Sequence, residues 1–500
     1  MRGLGIVGLL AAVLLSLSLA ARDTRSASVG APNVILFIGD GLGPTQMKLG
    51  LDYARVVQGR PLHLETLMEN GDTGYALPLP YQAVVIDSAS SATQMGTGQP
   101  ARNETLGLDV DGRESRTILE WAEDRGLATG LVTNMRLTHA TPAAFATHHV
   151  SRYGEEHLLA NQLLGGRDID VLLGGGARAF VPRGERTSES LSGIPTSLDE
   201  DSRRGDARNL IDEARGRGYT IVSDRDSLRD AAATAGRLLG LFAANNLPYV
   251  LDRRHERLDG VPSLPELTRA ALQVLAKNEG GFFLMVEGGL IDYAGHDNDA
   301  ATLLQEILDF DEALGLGLRF QSDNPQTLVV VTADHGTGGF SFTYSGWRGE
   351  QEPLANGQTY RPRWYYPGEA ELRLLGRQDR SFWRILERAG ADPAKLQEEV
   401  QSATGLSLTS DEVARVLARN PKGHAETSDF REFYPEPEVV PLALLGRALS
   451  RQTSVVWSTG GHTSDPALTF GIGPGAEGLR GVYRNTHLHD VMKRSLEAAE

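Results

Sequence analysis

Six apolar stretches of this chain each run into residues that can bind a metal or attack an electrophile. Val34–Ile38 leads into Gly39-Asp40-Gly41, and Ala83–Ile86 leads into Asp87-Ser88. Ala128–Thr133 is followed by Thr138-His139-Ala140-Thr141-Pro142, and Phe282–Val286 by Glu287-Gly288-Gly289, then Asp292 and His296. Leu328–Thr332 precedes Asp334-His335-Gly336, and Ser454–Trp457 precedes Gly460-Gly461-His462. Taken singly, each residue has a plain structural reading: a strand-end aspartate is often a turn or cap residue. Their coincidence is the signal, because glycines beside them permit tight turns and close approach of the backbone to a ligand. By chemistry they suggest more than one ion. The imidazoles of His296, His335 and His462, with aspartates, suit zinc. Asp40, Thr141 and Glu287 offer only oxygen and suit a hard ion such as magnesium. Asp292 and His296, four residues apart, share a helix face and can reach one metal.

The elements that must position these groups are short buried strands alternating with amphipathic helices. The strands predicted are Val34–Ile38, Ala83–Ile86, Ala128–Thr133, Ile169–Leu173, Phe282–Val286, Leu328–Thr332 and Ser454–Trp457, several of them nearly continuous in Val, Ile and Leu. Ser263-Leu264-Pro265-Glu266 reads as a capping box opening a helix through Leu267, Ala271 and Leu275. The pattern predicts an α/β fold with a largely parallel central sheet sandwiched by helices, and such sheets carry their functional groups beyond the carboxyl ends of the strands. Two segments break the rhythm. Residues 176–206 read as a long surface loop, and residues 341–453, with Tyr344, Trp347, Tyr360, Trp364, Tyr365 and Tyr366 followed by helical patterns, read as a large insertion over the active-site side of the sheet.

Composition narrows the partners. A formal net charge of −16 argues against nucleic acid or an anionic membrane, so an anionic substrate needs a site made locally positive, which bound metals provide. Arg2, the apolar run Leu4–Leu19 and the small residues Ser18-Leu19-Ala20 are expected to form a cleaved signal peptide over residues 1–21, with residues 32–500 as the exported catalytic domain. No later segment is long and apolar enough for stable membrane insertion after cleavage, and the destination expected is periplasmic or extracellular. The absence of cysteine excludes disulfides, thiolate metal sites and a cysteine nucleophile.

The stretch "VIDSASSATQMGTG" (85–98) is either a helix start rich in capping hydroxyls or the presentation of a nucleophilic serine, and three serines compete for that part. Together with "NVILFIGDGLG", "THATPAAFATHHVSR", "VEGGLIDYAGH", "VTADHG" and "TGGHT", in that order, it resembles the bacterial alkaline phosphatases from about Asn33 to about Leu496, thinly over 341–453. The resemblance implies Ser88 as the nucleophile that becomes phosphoserine, and Arg152 as a bidentate phosphate grip oriented by Asp87. It implies one zinc held by Asp292, His296 and His462, a second held by Asp40, Asp334 and His335, and a magnesium ion held by Asp40, Thr141 and Glu287. Phosphate monoesters would then be hydrolysed by two in-line displacements. The family's common dimerism makes a homodimer an expected assembly. Two positions depart from some members. His139 stands where others carry Asp, so it can bind directly and make the third ion zinc, and Tyr293 stands where others carry a basic residue or tryptophan. His148 and His149 fall in the same motif without being expected ligands, and His63, His157, His255, His424, His487 and His489 join no constellation. A phosphodiesterase of the same superfamily, a non-catalytic exported phosphate- or metal-binding protein and a Ser-His-Asp esterase are the competing readings. The last lacks a G-x-S-x-G elbow.

Overall fold

The computed structural model describes residues 31–154, 156–346, 349–418 and 439–497. The expected leader at 1–21, Trp347 and His424 lie outside them. Ten strands form the main sheet: β1 (Asn33–Gly39), β2 (Asp72–Leu77), β3 (Ala128–Arg136), β4 (Val171–Gly175), β5 (Thr220–Val222), β6 (Leu238–Leu241), β7 (Phe282–Gly288), β8 (Thr327–Ala333), β9 (Ala467–Ile472) and β10 (Gly481–Arg484). Their order is β10-β2-β9-β8-β1-β7-β3-β4-β6-β5. Neighbours are parallel except where β9 meets β8 and β2. β1, β7 and β8 are buried along their whole length, as their unbroken apolar sequences require of strands covered on both faces.

Alternation along β7 shows the two layers. Phe282 meets Phe320 of the long helix Ala300–Asp323 edge-on, while its neighbour Phe283 stacks on Phe145, beside the short helix Ala140–Ala144, on the opposite face. Phe37 of β1 packs edge-on against Phe310 of the same long helix. Helix Leu264–Leu275 opens with the predicted capping box, Ser263 and Glu266 each satisfying the other's backbone N–H.

Three expectations are corrected. Ala83–Ile86 is not a strand: Val84 is 72% exposed and only Ile86 of the four is buried. Instead of a ladder, the side chain of Asn103 holds this segment, donating to Val85 O and accepting from Asp87 N–H. Without a neighbouring strand to pair with, this apolar run is an exposed approach to a helix that buries only Ile86. Ser454–Trp457 reduces to Val455–Val456, paired antiparallel with Ser341–Phe342 outside the main sheet. Residues 176–206 are not purely a surface loop, since Ala177, Phe180, Val181, Thr187 and Arg204 are buried. Strands β2, β5, β6, β9 and β10 escape sequence reading because they are short or interrupted by glycine, as in "DTGYAL" and "ALTFGI". Beyond residue 369, helices Phe382–Ala389, Pro393–Thr404, Ser410–Ala418 and Val440–Thr453 close around a second apolar cluster that includes Ile385, Leu396, Val400, Val416 and Leu445. Aspartates of the main body hold the first of these helices: Asp252 accepts from Ser381 N–H and Asp299 from Phe382 N–H.

Candidate active site

The parallel register decides what meets at the carboxyl edge. Gly39 lies opposite both Gly288 and Ala333, so Asp40, Glu287 and Asp334 leave three adjacent strands side by side, strands of a sheet being about 4.8 Å apart. Gly41 then turns with φ +71° and donates its N–H to Asp334 Oδ1 at 3.0 Å. A Cβ at Gly41 would sit 2.8 Å from the Cα of Asp292, so only glycine lets the β1 end pass this close.

Three overlapping groups of ligand atoms follow: Asp292, His335 and His462; Asp40, Asp334 and His335; Asp40, His139 and Glu287, each within 4.8 Å of one another. His296 joins the first, its Nε2 lying 3.1 Å from Asp292 Oδ2 and 3.3 Å from His462 Nε2. Both rings are oriented from behind. His462 Nδ1 donates to Ile86 O at 2.9 Å and His296 Nδ1 to Gly460 O at 2.5 Å, which turns both Nε2 atoms towards Asp292. His462 does not hang from a sheet strand. It comes from the pair His462–Thr463, laid antiparallel on Gly336–Thr337, which stacks its ring on His335 at 3.6 Å. His335 Nε2 is the meeting point of the second group, 3.0 Å from Asp334 Oδ2, 3.6 Å from Asp40 Oδ1 and 3.2 Å from Ser88 Oγ. In the third group Thr141 Oγ1 lies 3.4 Å from Asp40 Oδ2, and His139 Nδ1 lies 3.8 Å from Glu287 Oε1.

These atoms fit divalent cations better than they fit one another. Asp40 Oδ1, Glu287 Oε1 and His139 Nδ1 are buried yet make no hydrogen bond within the protein. Burial first, then the charges of Asp334, Asp292 and Glu287, hold Asp40 well above the usual carboxylate range. Burial likewise pushes Glu287 up to about 7, against the hydrogen bond it receives from Thr133. Buried carboxylates so close together cannot all ionise without positive charge between them. Burial and the neighbouring His335 lower His462 to about 3, leaving it neutral, the form that binds metal. Burial opposes a charge on His296 as well, but Asp292 raises it to about 9, so in the bare site a proton occupies the place a cation would take.

The serine stands at the edge of these groups. Asp87 caps helix Ser88–Thr97, accepting from Ser90 N–H at 2.9 Å, and Gly98 ends it with φ +70°. Every residue of this helix is buried, which explains its run of small side chains. The three serines are now distinct. Ser90 Oγ donates to Ala101 O and Ser91 Oγ to Asp334 O, so both are tied to backbone. Ser88 Oγ, at the first helical position, faces His335 Nε2 and Arg152, whose Nη1 is 3.3 Å away. The partial positive charge of the helix N-terminus favours an anion there. Arg152 is held on both sides: Nη1 donates to Asp87 Oδ2 at 3.2 Å and Nη2 to His139 Nε2 at 2.9 Å. That second contact requires a lone pair on His139 Nε2, in keeping with burial and the charges of Arg136 and Arg152, which hold His139 well below its ordinary pKa.

All twelve candidate residues therefore converge on one edge of the sheet. His148 stays apart, its Nδ1 to Gly107 O and its Nε2 to Glu120. Three further residues were not anticipated: Thr133, donating to Glu287; Thr337, donating to Asp292; and Asn103, fixing Asp87; Tyr293, singled out beside Asp292, meets His139 and His296 edge-on. Thr337 stands two residues after His335 and Thr133 closes a predicted strand, so adjacency was an available signal. Asn103 carried none.

A family model of alkaline phosphatase matches residues 31–498. Alkaline phosphatase 3 of Bacillus subtilis is 31% identical over 474 residues, 93% of this chain and 89% of that protein. The alkaline phosphatase of Escherichia coli is 35% identical over 357 residues, 63% of this chain and 72% of that protein. The crystal structure of Thermus thermophilus alkaline phosphatase superposes with a TM-score of 0.79 at 30% identity, covering 94% of this chain and 92% of that one. Family model, curated relatives and solved structure agree over nearly the whole length, and the chain belongs to the alkaline phosphatase family.

Proposed function

We propose that this chain is an exported phosphatase that hydrolyses phosphate monoesters through a phosphoserine at Ser88, with two zinc ions and one magnesium ion. The observation that carries the reading is the placement of Ser88 Oγ, 3.2 Å from His335 Nε2 and 3.3 Å from Arg152 Nη1, against carboxylate oxygens that the protein leaves without hydrogen-bond partners. Asp292, His296 and His462 would hold one zinc, Asp40, Asp334 and His335 the other, and Asp40, Thr141 and Glu287 the magnesium ion. His139 Nδ1 faces Glu287 at 3.8 Å; with Nε2 accepting from Arg152, a neutral His139 carries its proton on Nδ1 and would serve this site as a hydrogen-bond donor to Glu287. Bound there, divalent ions would offset the charge of the phosphoryl group and ease ionisation of the hydroxyls that attack it.

The chain's own residues account for the remaining steps. Arg152 grips two phosphoryl oxygens through its planar fork, which Asp87 and His139 hold in place before substrate arrives. Ser88 Oγ gives its proton to solvent and attacks phosphorus, forming the Oγ–P bond as the P–O bond to the alcohol breaks, and the departing alkoxide takes up a proton from water. Water then attacks the same phosphorus from the opposite side, and the Oγ–P bond breaks to return Ser88 and release phosphate. The helix N-terminus at Ser88 and the Arg152 guanidinium stabilise the charge that spreads over the phosphoryl oxygens in both steps.

A charged clamp centred on a single phosphoryl group favours monoesters, and turnover of p-nitrophenyl phosphate against bis-p-nitrophenyl phosphate tests it. We expect faster monoester cleavage, abolished by a chelator and restored by Zn²⁺ with Mg²⁺; faster diester cleavage would sink the monoesterase reading. Export rests on the residue pattern of 1–21, and N-terminal sequencing of protein secreted by a bacterial host tests it. Assembly as a homodimer, proposed from the family's habit, is read by sedimentation.

A further inference from the structure

We infer that Tyr153 is a specificity-determining residue that receives the leaving group of the substrate and favours aromatic ones. This rests on the phosphatase reading and deepens it. Tyr153 follows Arg152 directly, yet the two side chains have opposite environments: Arg152 is 10% exposed and Tyr153 is 69% exposed. The ring nonetheless stays beside the arginine, its centroid 5.4 Å from Arg152 Cζ. With Arg152 Nη1 3.3 Å from Ser88 Oγ, the ring centre lies within about 10 Å of the attacking oxygen. The exposed ring therefore borders the buried guanidinium that would hold the phosphoryl group, within reach of an ester whose alcohol part projects to solvent.

The backbone under the ring is fixed. Leu106 and His149 exchange both backbone hydrogen bonds at 2.9 Å, Arg152 N–H donates to Glu104 O at 2.7 Å, and Tyr153 N–H donates to Ser151 Oγ at 3.2 Å. The turn thus holds an aromatic face at the rim without first having to order it, which lowers the entropic cost of binding. The same turn exposes Val150 to 70% and adds a second apolar surface. A tyrosine ring stacks on an aryl or nucleoside group by offset or edge contact, a contact that glycerol does not offer. The Arg152 guanidinium lies over the ring at 5.4 Å, a cation–π contact that favours keeping the tyrosine beside it.

The test compares wild type, Tyr153→Ala and Tyr153→Phe on p-nitrophenyl phosphate and on glycerol phosphate, using kcat/KM, which reports only steps up to serine phosphorylation. Inhibition by inorganic phosphate is measured in parallel. Tyr153→Ala should lower kcat/KM for the aryl ester about three- to tenfold, the range of one aromatic contact, while glycerol phosphate changes less than about twofold. Tyr153→Phe should match wild type, and phosphate inhibition should be the same in all three. An equal loss on both substrates, or weaker inhibition by phosphate, would make the ring a brace for Arg152 and overturn the proposal. So would an alanine variant indistinguishable from wild type on both esters. A wild type that cleaves neither ester would remove the phosphatase reading itself.

Discussion

Stripping its metals should make this protein less stable as pH rises, and Glu287 sets the size of the effect. Its carboxyl is fully buried and pushed up to about 7, from an ordinary value of 4.5. Between those two values the folded state keeps a proton that the unfolded chain releases. Stability from this group is therefore whole below pH 4.5 and is lost as pH climbs through 7. A shift of that size corresponds to about 3 kcal/mol, and for a chain of this length to a fall in Tm of about 3 °C. Asp40, held high by burial and its acidic neighbours, acts in the same direction. So do Asp297 and Glu306, each pushed to about 8 by burial, so the whole protein's pH dependence cannot be read as that of the metal site. The discriminating comparison is calorimetry of the chelated wild type and of chelated Glu287→Gln at pH 5, 6, 7 and 8. The wild type should lose about 3 °C more than the variant across that range, and Zn²⁺ with Mg²⁺ should flatten the wild-type profile by replacing the proton with a cation. Parallel profiles for the two chelated proteins would refute the argument that this carboxylate cluster is built around positive ions.

Arg152→Lys keeps the charge and loses the fork, so kcat/KM for p-nitrophenyl phosphate should fall about 10²-fold and inhibition by phosphate should weaken in step. Asp87 accepts from the Ser90 and Glu104 N–H groups through Oδ1 and from Arg152 through Oδ2, and substitutions separate the backbone role from the arginine one. Asp87→Ala should lower stability by about 1 kcal/mol through loss of the helix cap and raise KM, whereas Asp87→Asn should restore stability but not KM; calorimetry and steady-state kinetics read the two effects. Gly41→Ala puts a Cβ at φ +71° and 2.8 Å from the Asp292 backbone, so the purified variant should fold by circular dichroism yet carry less zinc by elemental analysis.

Much of this edge was legible because parallel strands announce themselves. β1, β7 and β8 contain the apolar runs Val34–Ile38, Phe282–Val286 and Leu328–Val331, and a candidate ligand, Asp40, Glu287 or Asp334, follows each within three residues, so strand position and ligand position are read together. Ser88 stands out in the sequence despite a wrong premise about the segment before it. The apolar Ala83–Ile86 resembles a strand, but its backbone partner is the Asn103 side chain, a contact across sixteen residues that no periodicity encodes. His462 was found on the strength of its glycines and the family pattern, while the two-residue pairing that delivers it is too short to leave a trace. The choice of Ser88 over Ser90 and Ser91 rests on the resemblance; in the structure the other two hydroxyls donate to backbone carbonyls, whereas Ser88 Oγ faces His335 and Arg152. The hydrogen bonds that set the imidazole tautomers, from His462 to Ile86 O and from His296 to Gly460 O, are long-range contacts to backbone and were invisible in a list of side chains.

The phosphoserine is the most direct test of the chemistry. Protein incubated with substrate or inorganic phosphate at mildly acidic pH, where release from the serine is slowed, is quenched in acid and digested, and the peptide carrying residues 85–98 is sequenced by mass spectrometry. Phosphate should be found on Ser88 and on no other hydroxyl of that peptide, and Ser88→Ala should show neither the modification nor the activity. Phosphate on Ser90 or Ser91, or a Ser88→Ala variant that keeps full phosphatase activity, would contradict the proposed mechanism.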